Sequence, residues 1–355
     1  MNIGITKAIA SGWDSWKLFR LKTTPTTHNS DRAVLPKEVP ERAVIPFPQN
    51  NHLFAETTEY IPHDHANGCT TIPSDIIGKE IIGGKFKVIS YMESGGIADI
   101  FVVQDETGKK YAAKILKPDS KHDTLKRILR ESEVMVLLSN QLNILEFIAL
   151  GHIDVRPIIV SEFADEGSLY AKAQNGDLTF GQAIIYLRDT ANGLASMHDI
   201  GLIHRDIKPK NILIVGNEAK LSDFDLTASI DDDLYTNIED GISGTIYYIS
   251  PEQIREEKID FKSDIYSLGV TAYYIFVGRL PFIGEAVSEV LEKHLKEEPI
   301  SPGTFNKHIP SKLEELILQS MSKDPVKRPT AVEFKARLDS LLTEAPMPDI
   351  KLKHI

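Results

Sequence analysis

The chain has 355 residues, and 40 Lys and Arg stand against 51 Asp and Glu for a formal net charge of -11, which argues against nucleic acid as a main partner because that binding leaves a basic footprint. The single cysteine, Cys69, excludes an intrachain disulfide framework and points to a reducing compartment. No run of about 18 apolar residues predicts a membrane-spanning helix, and there is no apolar N-terminal core of secretory type.

Composition shifts near residue 75. Residues 1–75 carry scattered prolines (Pro25, Pro36, Pro40, Pro46, Pro48, Pro62, Pro73) and Thr- and Asn-rich stretches, the signature of an extended or partly disordered extension. Within residues 1–22, Ile5, Ile9, Trp13, Trp16 and Leu18 alternate with Lys7, Lys17, Arg20 and Lys22, which predicts a short amphipathic helix bent at Gly12. Such a helix serves as a docking or membrane-surface element, or as a strap that buries both tryptophans against a folded domain. His63-Asp64-His65 with Cys69 matches no defined zinc spacing and reads as a polar loop.

From Lys85 the pattern changes to strands. Residues 85–91, 97–104 and 111–116 run apolar or alternate, with Glu106-Thr107-Gly108-Lys109 as a hairpin turn between the last two. Residues 125–138 read as a helix with apolar spacing at Leu125, Ile128, Leu129, Met135 and Leu138. Beyond Thr179 the periodicity predicts helices over 180–198, 262–277, 311–321 and 331–342. Strands first and helices later make an α+β chain in two lobes, with no internal repeats.

Five runs stand out in order. They are Tyr111-Ala112-Ala113-Lys114, then His204-Arg205-Asp206-Ile207-Lys208-Pro209-Lys210-Asn211, then Asp223-Phe224-Asp225, then Gly244-Thr245-Ile246-Tyr247-Tyr248-Ile249-Ser250-Pro251-Glu252-Gln253, and last Ser263-Asp264-Ile265-Tyr266-Ser267-Leu268-Gly269-Val270. Over residues 85–342 the chain resembles a eukaryotic-type (Hanks-type) serine/threonine protein kinase, of the kind also found in bacteria. The resemblance implies a bilobal fold for residues 76–345, with a β-rich N-lobe over about 76–160, an α-helical C-lobe over about 165–345, and a tail at 346–355. It implies ATP with Mg²⁺, or Mn²⁺ in its place, as the cofactors, protein substrates, and autophosphorylation. It places the enzyme in the cytoplasm, or in a host cell to which it is delivered.

The resemblance also assigns roles. Asp206 orients the acceptor hydroxyl and Lys208 places positive charge near the transferring phosphate. Lys114 holds the α- and β-phosphates and pairs with a helix carboxylate, Glu131 by the count back from Leu138, with Glu133 as the alternative. Asn211 and Asp223 hold the metal, whose preference for hard oxygen ligands suits them. The nucleotide is cradled by Gly95, Gly96, Ala98 and Ala112 and by the hinge Glu162-Phe163-Ala164, with the small Ser161 guarding the back of the pocket. Glu252, Asp264 and Arg328 form scaffold contacts, and Thr245 touches Asp206.

Two positions depart from the family pattern. The glycine-rich loop lands on Glu93-Ser94-Gly95-Gly96-Ile97-Ala98, where only Gly95 matches, so a carboxylate enters a phosphate site and fewer backbone amides approach closely. Asp225 replaces the last glycine of the metal loop; Asp tolerates the glycine conformation better than most residues, and a stiffer switch follows. The activation segment is acidic, and Glu239 and Asp240 fall near the expected phosphosite, where they could pair with Arg205 in place of a phosphate; Thr236 and Ser243 are the phosphosite candidates. The departures leave a pseudokinase, a nucleotide-binding module with little turnover, as the rival reading. A small-molecule kinase of related fold is disfavoured by the Gly-Thr and Ser-Pro-Glu segment, and a scaffold working through residues 1–75 is a third class.

Overall fold

Alternating burial organises the first lobe. In the computed structural model, which describes residues 74–118, 122–230, 245–344, 348 and 350–352, strands β1 (Glu80–Ile81), β2 (Phe86–Ser94), β3 (Ala98–Gln104), β4 (Lys110–Leu116), β5 (Phe147–Ile153) and β6 (Arg156–Glu162) form one antiparallel sheet. Its strand order is β1-β2-β3-β4-β6-β5. Phe86 and Val88 of β2 are buried while Lys87 and Ile89 face out, the period-2 pattern of a strand with one covered face. Phe101, Val103, Ala113, Ile115, Ile158 and Val160 complete that core, and Phe86 meets Tyr111 edge-on at 5.3 Å.

Side chains brace the β3–β4 hairpin. Asp105 accepts from the Thr107 and Lys109 amides at 2.9 and 3.0 Å, and Gly108 supplies the positive φ of 89°. Two register shifts in β2, at Val88/Ser90 and Tyr91/Glu93, bend the strand as bulges do just before the turn over Gly95 and Gly96.

Helix α1 (His122–Leu137) packs on β5 and β6. Ile128, Glu131, Ser132, Met135 and Leu138 are buried, a helical stripe into which one carboxylate is built. The second lobe is helical: α2 (Leu169–Gln174), α3 (Phe180–Asp199), α4 (Pro251–Ile254), α5 (Phe261–Val277), α6 (Val287–Lys296), α7 (Pro302–Phe305), α8 (Ser311–Ser320) and α9 (Ala331–Glu344). Thr179 and Gln182 make a capping box that starts α3. Helix α5 is apolar almost all round and nearly every residue is buried, as expected of a central helix. Gly269 permits that burial: a Cβ there would lie 2.8 Å from Ser320 Cβ on α8.

Short strands carry the loops between the helices. β7 (Leu202–Ile203) pairs with β10 (Ala228–Ser229), and β8 (Ile212–Val215) pairs with β9 (Glu218–Leu221). These two hairpin-like pairs frame the segment 204–211 and the segment 222–227. The C-terminal residues are part of the lobe: the Phe180 amide donates to Ile350 O at 2.9 Å, the Leu352 amide donates to Leu178 O at 2.8 Å, and Leu352 is buried.

Candidate active site

Lys114 is the centre of the site. It sits on β4, opposite Ile159 of β6 and Ile100 of β3, so the sheet fixes its position on three strands. Its Nζ donates to Glu131 Oε1 and Oε2 at 2.9 and 2.8 Å and to Asp223 Oδ1 at 2.8 Å. The helix carboxylate is therefore Glu131; Glu133 is exposed on the far face of α1. Burial works against the Lys114 ammonium, but the charges of Glu131, Asp223 and Asp225 more than offset it and hold its pKa above the usual lysine range. Burial pushes the Glu131 carboxyl up to about 7, against the pull of Lys114.

A second cluster lies in the segment between β7 and β8. Asp206 Oδ2 accepts from Lys208 Nζ at 2.7 Å and from Asn211 Nδ2 at 2.8 Å. Asn211 Nδ2 also donates to Asp206 O at 2.9 Å. Both amide protons of Asn211 are thus spent, which leaves its Oδ1 as the atom able to ligate a cation. His204 braces the loop from below, with Nε2 bonding to Ser222 O at 3.1 Å and Nδ1 accepting the Asp206 amide at 3.3 Å; the neutral ring can do both only with its proton on Nε2. Phe224 is fully buried and its ring lies 5.3 Å from that of His204.

Asp223 takes a positive φ of 64°, a conformation that Asp tolerates better than most residues. Burial raises its pKa, but Lys114 by charge and hydrogen bond more than reverses that, so its carboxyl is held below the usual range. Asp223 has Oδ1 on Lys114, and its neighbour Ser222 ties this loop to the second cluster, with amide and hydroxyl both donating to Asn211 O at 3.0 Å. By charge and donor type the two side chains fit a divalent cation: the Asp223 carboxylate and the Asn211 amide oxygen are both hard oxygen ligands.

The turn over the glycine-poor loop is tied by other means. The Gly95 amide donates to Ala98 O at 2.8 Å, Ser94 Oγ donates to Asp99 Oδ1 at 2.8 Å, and Lys117 Nζ donates to Gly95 O at 2.7 Å. Ala98 is buried, and Ala112 pairs with Ser161 across β4 and β6. At the hinge, Glu162 spends its side chain on the scaffold, where Oε1 accepts from Lys220 Nζ at 2.6 Å and the Glu146 amide at 2.7 Å. Phe163 and Ala164 follow at the lobe junction, half-buried.

Beneath the site, Asp264 on α5 accepts from the His204 and Arg205 amides at 2.9 and 2.8 Å and meets His198 Nε2 at 2.9 Å. Arg328, 1% exposed, holds Glu252 with two hydrogen bonds of 2.6 and 2.9 Å.

The protein kinase domain family matches residues 86–337. The chain belongs to that family. It is 33% identical over 269 residues to the serine/threonine-protein kinase PrkC of Bacillus subtilis, covering 74% of this chain and 41% of that protein. It is 32% identical over 272 residues to a probable serine/threonine-protein kinase of Clostridium perfringens (75% and 39%) and 31% identical over 267 residues to the serine/threonine-protein kinase PknB of Mycobacterium leprae (72% and 43%). The chain thus spans less than half the length of these curated relatives.

The kinase domain brings Lys114, Glu131 and Asp223 into one cluster and Asp206, Lys208 and Asn211 into a second. Thr245 begins the 3₁₀ turn Thr245–Tyr247; its expected contact with Asp206 lies outside the described side chains. Thr236, Glu239, Asp240 and Ser243, the segment 1–22 and the His63 to Cys69 loop lie outside the described residues. Sequence reasoning passed over two contributors. One is Lys117, one residue past β4. The other is Arg127, whose Nη2 donates to Asp225 Oδ2 at 2.7 Å; no sequence signal pairs two residues so far apart.

Proposed function

We propose that this chain is an ATP-dependent serine/threonine protein kinase that transfers the γ-phosphoryl group to hydroxyls of protein substrates, itself included. The observation that carries the reading is the double engagement of Lys114 by Glu131 and Asp223, together with the separate Asp206–Lys208–Asn211 cluster. A pure nucleotide-binding module has no need for that second cluster.

The roles follow from the chemistry of the residues. Lys114, kept cationic by its carboxylate neighbours, binds the α- and β-phosphates. Asn211 Oδ1 and the Asp223 carboxylate hold Mg²⁺, or Mn²⁺ in its place, which neutralises phosphate charge when bound. Asp206, its carboxylate fixed by Lys208 and Asn211, orients the acceptor hydroxyl and takes its proton. Lys208 offsets charge that builds on the transferring group. Gly95, Gly96, Ala98, Ala112 and the hinge at Glu162, Phe163 and Ala164 enclose the nucleotide. Most of the acceleration comes from positioning and fixed charge.

Among the described residues no helix is long and apolar enough to cross a membrane. A reducing, ATP-supplied cytoplasm, of the producing cell or of a recipient, suits the single Cys69. Residues 1–22 are our candidate for docking to a partner or a membrane surface.

The decisive experiment is transfer of radiolabelled phosphate from ATP to protein, with Asp206→Asn as the control. Labelling by the parent and its loss in the variant support the reading. Nucleotide binding without any Asp206-dependent labelling would establish the pseudokinase instead.

A further inference from the structure

The residue at 225 has no backbone reason to be glycine in this chain. Asp223 takes a positive φ, but Asp225 does not, so no left-handed backbone at 225 calls for glycine. Its side chain has a partner instead. Asp225 Oδ2 accepts from Arg127 Nη2 at 2.7 Å, across 98 positions of sequence. The Asp225 side chain is 11% exposed and that of Arg127 31%, so water screens the pair less than a surface pair.

The placement of this ion pair matters more than its presence. Arg127 lies four residues before Glu131, one turn of α1 on the same face. Asp225 lies two residues after Asp223 on the same loop. Helix and loop are therefore joined twice: Arg127 to Asp225, and Glu131 through Lys114 to Asp223. A helix held at one point can still pivot about it. A helix held at two points one turn apart has its rotation and its distance both fixed. Charge reinforces this, because three carboxylates (Glu131, Asp223, Asp225) share two cations (Lys114, Arg127), and removal of Arg127 would leave Asp225 repelling Asp223 nearby.

We propose that Arg127 and Asp225 form a positioning pair that holds α1 against the metal-binding loop and so keeps Glu131 in register with Lys114 for phosphoryl transfer. The inference rests on the kinase reading above, and it gives the substitution of the loop glycine by Asp225 a purpose.

The test uses the full chain, casein as acceptor and radiolabelled ATP. Arg127→Gln and Asp225→Gly are each expected to lower kcat about 10- to 100-fold, the scale of a misplaced catalytic group, with KM for ATP changed less than about threefold. The double variant is expected to be no worse than either single, the behaviour of residues that act as one unit. Arg127→Lys is expected to recover part of the loss. Full activity in Asp225→Gly, or losses that multiply in the double variant, would overturn the proposal. Hydrogen exchange of the α1 amides gives a readout free of turnover: exchange is expected to quicken in both single variants with the rest of the domain unchanged. If the parent chain labels nothing, the kinase reading falls, and unchanged α1 exchange in both variants would independently remove the positioning pair.

Discussion

Asp264 Oδ1 accepts the Arg205 amide at 2.8 Å while Arg205 sits at a φ of 70°. A long side chain in the left-handed region costs on the order of 1–3 kcal/mol and persists only where its surroundings over-determine it. Asp264 does that, since its other oxygen takes the preceding amide, that of His204, at 2.9 Å. Asp264→Asn presents one donor to a pair of donors, so one amide loses its acceptor, at about 1–3 kcal/mol. Thermal unfolding is expected to report that loss. Because the loop also carries Asp206, kcat is expected to fall by about 100-fold in the same variant.

Glu131 and Glu133 are separable by the same kind of measurement. Glu131 is buried on Lys114 and Glu133 is exposed. Glu131→Gln removes the charge that fixes Lys114, and kcat/KM is expected to drop about 100-fold. Glu133→Gln is a surface change, expected to alter stability by less than about 0.5 kcal/mol and to leave activity at the parent level. Equal losses in both would refute the assignment.

These two cases show where the sequence is informative. Asp206, Lys208, Asn211, Asp223 and Lys114 were legible because phosphoryl transfer fixes both residue type and spacing within a short loop or strand. Glu131 was legible only to within two residues, since spacing along a helix does not say which face is buried; the stripe through Ile128 and Met135 decides it. Arg127 was not legible. Its partner is 98 residues away, and an arginine on a half-polar helix looks like any solvated charge. The seam between residues 178–180 and 350–352 was hidden for a similar reason: it is made by backbone groups, which carry no residue code.

Divalent metal is expected to govern nucleotide binding in a way that thermal shift can read. With ATP and Mg²⁺ each near 100 times the dissociation constant, stabilisation is expected at about 2.7 kcal/mol. Chelation with EDTA should remove most of it. Asp223→Asn, which removes the anionic ligand of the assigned pair, should bind ATP without metal dependence. A parent chain stabilised equally with and without EDTA would contradict the assignment of Asn211 and Asp223.

The Glu252–Arg328 pair gives a pH-dependent stability with a definite sign. Burial alone would raise the Glu252 carboxyl, but the hydrogen bonds and charge of Arg328, with Ser263 Oγ at 2.5 Å, reverse this and hold its pKa below the usual range. A carboxylate depressed in the folded state contributes stability above its unfolded pKa, and the contribution is lost as pH falls through the folded value. The parent is therefore expected to lose melting temperature steeply below about pH 4.3, the ordinary Glu value. Glu252→Gln strands the buried guanidinium, so a loss of about 3–5 kcal/mol is expected at neutral pH, together with a shallower acid limb. An acid limb as steep as that of the parent would show that other carboxylates, not Glu252, set it.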